Sequence, residues 1–172
     1  MNGRFTAFCR YLAYAMEIAV VFALGATPGL LPDIYGAKPV LLICVALTAA
    51  IFEREIPAMV IGIVCGVLID LGYSDTIGVY TIALTVVCFI VGYAANNLIM
   101  ATFPNFLIYS LATVGGLFML YFLVHFVMAG IDDRWLYFRD HLLSRMIQTF
   151  IWSIGFYFLN RVVHGLLGEE GK

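Results

Sequence analysis

Side chains that could catalyse a reaction or bind a metal are few in this sequence and lie far apart. Its three histidines, His125, His141 and His164, lie on different predicted segments, and its four cysteines stand singly inside apolar runs. The spacings GxSxG, HExxH and GxxxxGKS/T, which place nucleophiles, zinc ligands or phosphate-binding groups, do not occur. We therefore predict that the protein is not an enzyme and has no catalytic residue, metal site or cofactor.

Glu17 is the acidic residue best placed for chemistry, because it interrupts an apolar run near the N-terminus. A carboxyl group inside a membrane is costly, so Glu17 should face the helix bundle and contact a polar group on another helix. Arg10 shares its helix face but lies about 10 Å away along the axis, too far for a direct pair. The candidate partners are Asn96, Arg145, Arg161 and His164. Two interpretations stay open: a ligand or proton site, or an anchor between helices that is either hydrogen-bonded or protonated.

A second feature is the segment Gly62-Ile-Val-Cys-Gly66-Val-Leu-Ile-Asp70. Its two glycines and its carboxylate repeat every four residues, so they share one helix face. Small residues at this spacing let another helix approach closely, which is how membrane helices pack. We call Gly62, Gly66 and Asp70 the glycine stripe, and we predict that it forms a contact between helices.

The composition indicates where these residues are placed. Of the 172 residues, 63% are hydrophobic and only 12% are charged, and the mean hydropathy is +1.01. A soluble domain is nearer half apolar and a quarter charged, so we predict an all-α, polytopic membrane helical bundle. The nine basic residues are scattered and the net charge is -2, which argues against a nucleic-acid partner.

The apolar runs predict six transmembrane helices in a single domain that covers residues 1–172. The first run is interpreted as a retained span and not as a cleaved signal peptide, since Glu17 interrupts it. The second run, which Pro39 opens, is only about 21 Å long and leaves five spans as an alternative. The predicted spans are 9–24, 39–52, 56–71, 77–98, 106–128 and 142–167.

Orientation and loops add three expectations. Basic residues divide five to four between the two sides, so the positive-inside rule only slightly favours cytoplasmic N- and C-termini. In the loop before the last span, Trp135 and Tyr137 are predicted either to anchor at the membrane interface or to contact a partner. Lys38 and Asp70 each lie 16 residues from Arg54.

That equal spacing predicts equal depth for Lys38 and Asp70 in a helical hairpin that turns at Glu53-Arg54-Glu55. Asp70 lies near the C-terminal end of its helix, where the helix dipole disfavours a carboxylate. Lys38 is the cation best placed to compensate. The alternative is that Asp70 accepts backbone N–H bonds from the turn at 72–74.

These residues carry a resemblance to a known family. The Lys38-Pro39 start of the second span, the glycine stripe and Gly78 at the start of the fourth span resemble the MreD family of bacterial rod-shape membrane proteins. Chain length, span number and short termini are similar as well, so the resemblance covers the whole chain. One departure is Val40, where the family more often has an acidic residue after the proline.

The resemblance implies a non-enzymatic role in the cell-elongation machinery (elongasome) of the bacterial inner membrane. Implied partners are the bitopic protein MreC and, through the assembly, MreB, a RodA-type glycosyltransferase and a class B penicillin-binding transpeptidase, together with membrane lipids. The implied fold is similar to the S subunits of energy-coupling-factor transporters. The alternative function is therefore a small-molecule-binding S subunit, for which Glu17 and the aromatic loops would line a pocket.

Overall fold

The computed structural model describes residues 3–27, 39–72, 78–97, 102–124 and 142–167, with side chains from residue 8 to residue 165 of these ranges. The described residues form six α-helices and no strand, which confirms the predicted all-α bundle. The helices are α1 (Gly3–Ala26), α2 (Leu41–Phe52), α3 (Glu55–Gly72), α4 (Val79–Asn97), α5 (Phe103–Phe122) and α6 (Leu143–Leu167).

The helix α2 lies at the centre of the bundle. It packs against each of the other five helices, and α1, α3, α4, α5 and α6 follow one another around it. Every residue from Leu41 to Ile51 is buried. A helix that is apolar on all sides belongs in an interior. Since α2 is covered by protein, its 12 residues need not match the thickness of the hydrocarbon layer.

Two antiparallel hairpins form one half of the bundle. Only Glu53 and Arg54 separate α2 from α3, as expected for the charged turn, and α3 packs along the whole of α4. The start of α4 differs from its predicted position at residue 77. Gly78 has a φ of +97°, a left-handed conformation outside the helical range, and the helix begins after it at Val79.

The contacts define two ends of the bundle. At the Glu53 end, the start of α1 meets the end of α2 through Arg10 and Glu53, and Asn96 at the end of α4 contacts Glu53 as well. Phe52 stacks on His164 near the end of α6. At the opposite, Asp70 end, α3 ends and α4 begins. Helices α1 and α3 therefore begin at the Glu53 end, where α2, α4 and α6 end, so direction alternates along the chain.

Within the described parts of the chain, four helices are long and apolar enough to cross a membrane by themselves: the Phe8–Ala26 part of α1, and α3, α4 and α5. This makes the protein a multi-pass membrane protein. The shorter α2 is apolar. Helix α5 begins at Phe103, three residues before the predicted boundary, because Pro104 is accommodated in the first turn, where its missing N–H costs no hydrogen bond.

Candidate functional site

Asp70 lies in the last turn of α3 and is 3% exposed. Its carboxylate accepts four hydrogen bonds from the beginning of α4. The backbone N–H groups of Gly78, Tyr80 and Thr81 donate to it over 3.0, 3.1 and 2.9 Å. The Thr81 hydroxyl donates over 2.5 Å. The carboxylate thus caps α4 from a neighbouring helix.

This arrangement follows from the backbone groups that a helix start leaves unpaired. The first N–H groups of α4 have no partner within their own helix, and the positive end of its dipole attracts a negative charge. Asp70 therefore does accept backbone N–H bonds, and its described donors are at residues 78, 80 and 81. Residues 73 and 74 of the predicted turn lie outside the described residues. Lys38, its predicted partner, lies outside the described residues.

The glycine stripe brings α3 and α4 into backbone contact. A Cβ built on Gly66 would lie 2.5 Å from the Cα of Thr81, and one on Gly62 would lie 2.9 Å from the carbonyl oxygen of Leu84. On α4, a Cβ on Gly92 would lie 3.1 Å from the Cβ of Ala58. Since real Cβ atoms essentially never lie within 3.0 Å of such atoms, Gly62 and Gly66 accommodate glycine only, whereas a Cβ at Gly92 would require its neighbours to shift slightly.

Glu17 contacts Asn160 of α6, whose side-chain Nδ2 donates to the Glu17 Oε1 over 3.0 Å. The same nitrogen lies 3.0 Å from the Thr48 hydroxyl on α2. Glu17 is half-buried and Asn160 is fully buried. The contact joins α1, α2 and α6, and Asn160 was not among the four candidates that the sequence suggested.

A second polar contact holds α1, and the sequence did not predict it. The Arg10 guanidinium forms an ion pair with Glu53, with 2.5 Å between Nε and Oε1 and 3.2 Å between Nη2 and Oε2. Their side chains are only 11% and 3% exposed. Asn96 of α4 donates to the Glu53 backbone oxygen over 2.9 Å. Removing one partner of such a buried pair leaves the other charge buried and uncompensated. The ion pair therefore strongly constrains the position of α1 against α2.

The family model described as rod shape-determining protein MreD matches residues 7–164. The chain belongs to the MreD family. No curated protein and no solved structure matches the chain. Membership of this family assigns the protein a role in rod-shape determination as a multi-pass membrane protein. The likeness to energy-coupling-factor S subunits, which the resemblance implied, stays a prediction.

The remaining predicted MreD-type residues have different outcomes. Pro39 does not open α2 but precedes it by two residues, and Val40 occupies the N-cap position without a side-chain cap. The Val40 N–H instead lies 3.3 Å from the Thr149 hydroxyl on α6. Trp135 and Tyr137 lie outside the described residues. Among the residues that the structure describes, no group of His, Cys, Asp and Glu could hold a metal ion.

The partners that sequence reasoning missed share one property. Asn160 is 143 residues from Glu17, and Glu53 is 43 residues from Arg10. Nothing in the local pattern states which helices are neighbours. For Arg10 the sequence did give a weak indication of its partner. The first two predicted spans, 9–24 and 39–52, place the start of the first span and the turn at Glu53 on the same side of the membrane.

Proposed function

We propose that this MreD-family chain is a non-enzymatic membrane subunit of the cell-elongation machinery. It binds an MreC-like bitopic protein in the bacterial cytoplasmic membrane, with both its termini in the cytoplasm. Through that partner it supports an assembly of MreB, a RodA-type glycosyltransferase and a class B penicillin-binding transpeptidase.

The observation that carries the proposal is the family match over residues 7–164. The contacts that the polar residues and glycines make between helices support the proposal. Asp70 caps a neighbouring helix, the two glycines admit its backbone, and Glu17 holds α6. Each of these residues stabilises contacts between helices, which is the property expected of a scaffold.

The test is co-purification from bacterial membranes with the tagged full chain. We expect an MreC-like protein to co-purify with the chain in mild detergent. Recovery of an energy-coupling ATPase module with a bound vitamin, and no MreC-like protein, would instead support the S-subunit alternative and overturn this proposal.

A substitution tests which surface of the chain makes the contact. Replacing both Trp135 and Tyr137 with alanine should weaken capture of the MreC-like protein, because large aromatic side chains dominate binding hot spots. The matched control is Tyr93→Ala, which removes a 49% exposed aromatic side chain from α4. If the double variant captures as much partner as the control does, the loop that precedes α6 is not part of the interface.

A further inference from the structure

The fully buried amide of Asn160 has its nitrogen engaged and its oxygen without a donor. Nδ2 lies 3.0 Å from both Glu17 Oε1 and Thr48 Oγ1, and 3.3 Å from the Phe156 carbonyl oxygen. Oδ1 is buried, and no hydrogen-bond donor reaches it within the described part of the chain. A buried acceptor without a donor is costly, so native proteins rarely leave one. The amide oxygen therefore calls for a proton from a neighbouring group.

Two hydroxyl groups close to this contact do not supply that proton. The Thr48 hydroxyl donates to the Cys44 carbonyl oxygen over 2.8 Å. The Tyr14 hydroxyl is buried and has no hydrogen-bond partner among the described residues, so it does not bond to Asn160. The Glu17 carboxyl group does contact the amide. It can donate only in its protonated form, because an ionised carboxylate is an acceptor alone.

The orientation of the Asn160 amide does not change this requirement. An asparagine amide can be turned over, which exchanges the positions of its oxygen and nitrogen. Oδ1 would then lie 3.0 Å from both Glu17 Oε1 and Thr48 Oγ1. Since the Thr48 proton is already donated to Cys44, a proton on Glu17 would have to join Oδ1 to Oε1. Both orientations of the amide therefore favour a protonated Glu17.

Among the residues that the structure describes, no cation forms an ion pair with Glu17. Arg10, on the same side of α1, pairs with Glu53 at the end of α2. The titratable side chains of α1, α2 and α3 that lie nearest to the contact carry no positive charge: Tyr14, Cys44 and Cys65.

Helix α6 has two ionisable side chains close to Asn160 in sequence. Arg161 is exposed at the surface of α6, and His164 stacks on Phe52 toward the Glu53 end of the bundle. Neither forms an ion pair with Glu17. A carboxylate inside a membrane needs a cation or several donors, so the ionised form of Glu17 is poorly satisfied at this position.

We propose that Glu17 is a proton-binding site and that its neutral carboxylic acid, paired with the Asn160 amide, holds α1 to α6. The amide nitrogen donates to Oε1 of the acid, and the acid proton, which is taken up from water, is donated to the amide oxygen. Release of the proton leaves that oxygen unpaired and introduces a negative charge, so it weakens the contact. The packing of α1 thereby responds to pH, whichever partner the chain binds.

Infrared difference spectroscopy of the full chain in detergent at neutral pH tests the protonation state. A protonated carboxyl group has a C=O stretching band that a carboxylate lacks. We expect the unmodified protein to have such a band and Glu17→Gln to lose it. The matched control is Glu55→Gln, the same substitution in the first turn of α3, which should retain the band. No difference between Glu17→Gln and the unmodified protein in this spectral region would overturn the proposal.

Thermal unfolding tests whether the neutral acid holds the helices together. Glu17→Gln keeps an uncharged group that both donates and accepts, so its unfolding temperature at neutral pH should match that of the unmodified protein. Glu17→Leu can do neither, and we expect its unfolding temperature to be about 2–12 °C lower. A Glu17→Gln variant that fails to fold, or that is as unstable as Glu17→Leu, would show that the contact needs the charge and would overturn the proposal.

Raising the pH then distinguishes the unmodified protein from Glu17→Gln. Because the folded state binds the proton, stability should fall as the pH rises through its release. The unfolding temperature of the unmodified protein should decrease as the Glu17 band disappears, while that of Glu17→Gln should not follow this decrease. Loss of the band with no such difference between the two proteins would overturn the role of the proton. This comparison does not require Glu17→Leu to fold.

Discussion

The Asp70 carboxylate lies where two helix dipoles act on it in opposite directions. The C-terminal end of its own helix, α3, disfavours the charge, while the N-terminal end of α4 attracts it and supplies three N–H donors. The second effect prevails because it includes direct hydrogen bonds. The penalty expected at the end of α3 is thereby offset within the α3–α4 hairpin.

Substitution of Asp70 tests this balance. Asp70→Ala leaves the N–H groups of α4 unpaired, and we expect it to lower the free energy of unfolding by about 1–3 kcal/mol. Asp70→Asn keeps one acceptor oxygen and should be milder. The measurement is thermal unfolding in detergent, and the control is Thr85→Val, which removes only a bond within α4, to Thr81. If both Asp70 variants abolish rod-shape complementation equally, the residue instead belongs to a site that needs the negative charge.

At the scale of the helices, close packing between α3 and α4 depends on three glycines. Two of them were predicted from the four-residue spacing on α3, because that spacing alone places them on one face. Gly92, their counterpart on α4, was not predicted, since a single glycine has no periodicity. The same limit explains Asn160: periodicity shows which residues share a helix face, but not which helix that face meets.

Gly66→Ala tests the backbone contact. Its new Cβ would lie 2.5 Å from the Thr81 Cα, so α3 and α4 must separate, and we expect a loss of about 1–3 kcal/mol of stability. Gly66→Leu should go further and disrupt assembly.

Gly116→Ala is the matched control for this test. Outside the backbone of α5 itself, no atom of the described residues lies within 4 Å of its added Cβ, so the substitution should be neutral or should stabilise α5 by up to about 1 kcal/mol. Unfolding temperatures in detergent compare the two variants. Equal temperatures for Gly66→Ala and Gly116→Ala would contradict the close approach.

For the whole molecule, the alternation of helix direction sets where the termini lie. The start of α1 and the end of α6 both lie at the Glu53 end of the bundle. The charge distribution along the sequence could not establish this arrangement, because it is nearly even between the two sides. The ion pair of Arg10 with Glu53 and the stacking of His164 on Phe52 establish it in the structure.

We therefore expect both termini on the same side of the membrane, the cytoplasmic side in the proposed orientation. Fusions of green fluorescent protein at either terminus should fluoresce, and fusions of periplasmic alkaline phosphatase at the same positions should be inactive. A fluorescent fusion at one terminus combined with an active phosphatase fusion at the other would contradict the alternation of the six helices.

The central position of α2 has a consequence for how the protein is made. The ribosome completes α2 long before α6, yet three polar contacts of α2 are with α6: Val40 with Thr149, Cys44 with the Thr149 carbonyl, and Thr48 with Asn160. Until α6 emerges, that side of α2 has no protein to cover it. Biogenesis of this protein thus requires the insertion machinery or surrounding lipid to shelter a half-covered helix during elongation, and the last helix to be synthesised completes the interior around one of the first.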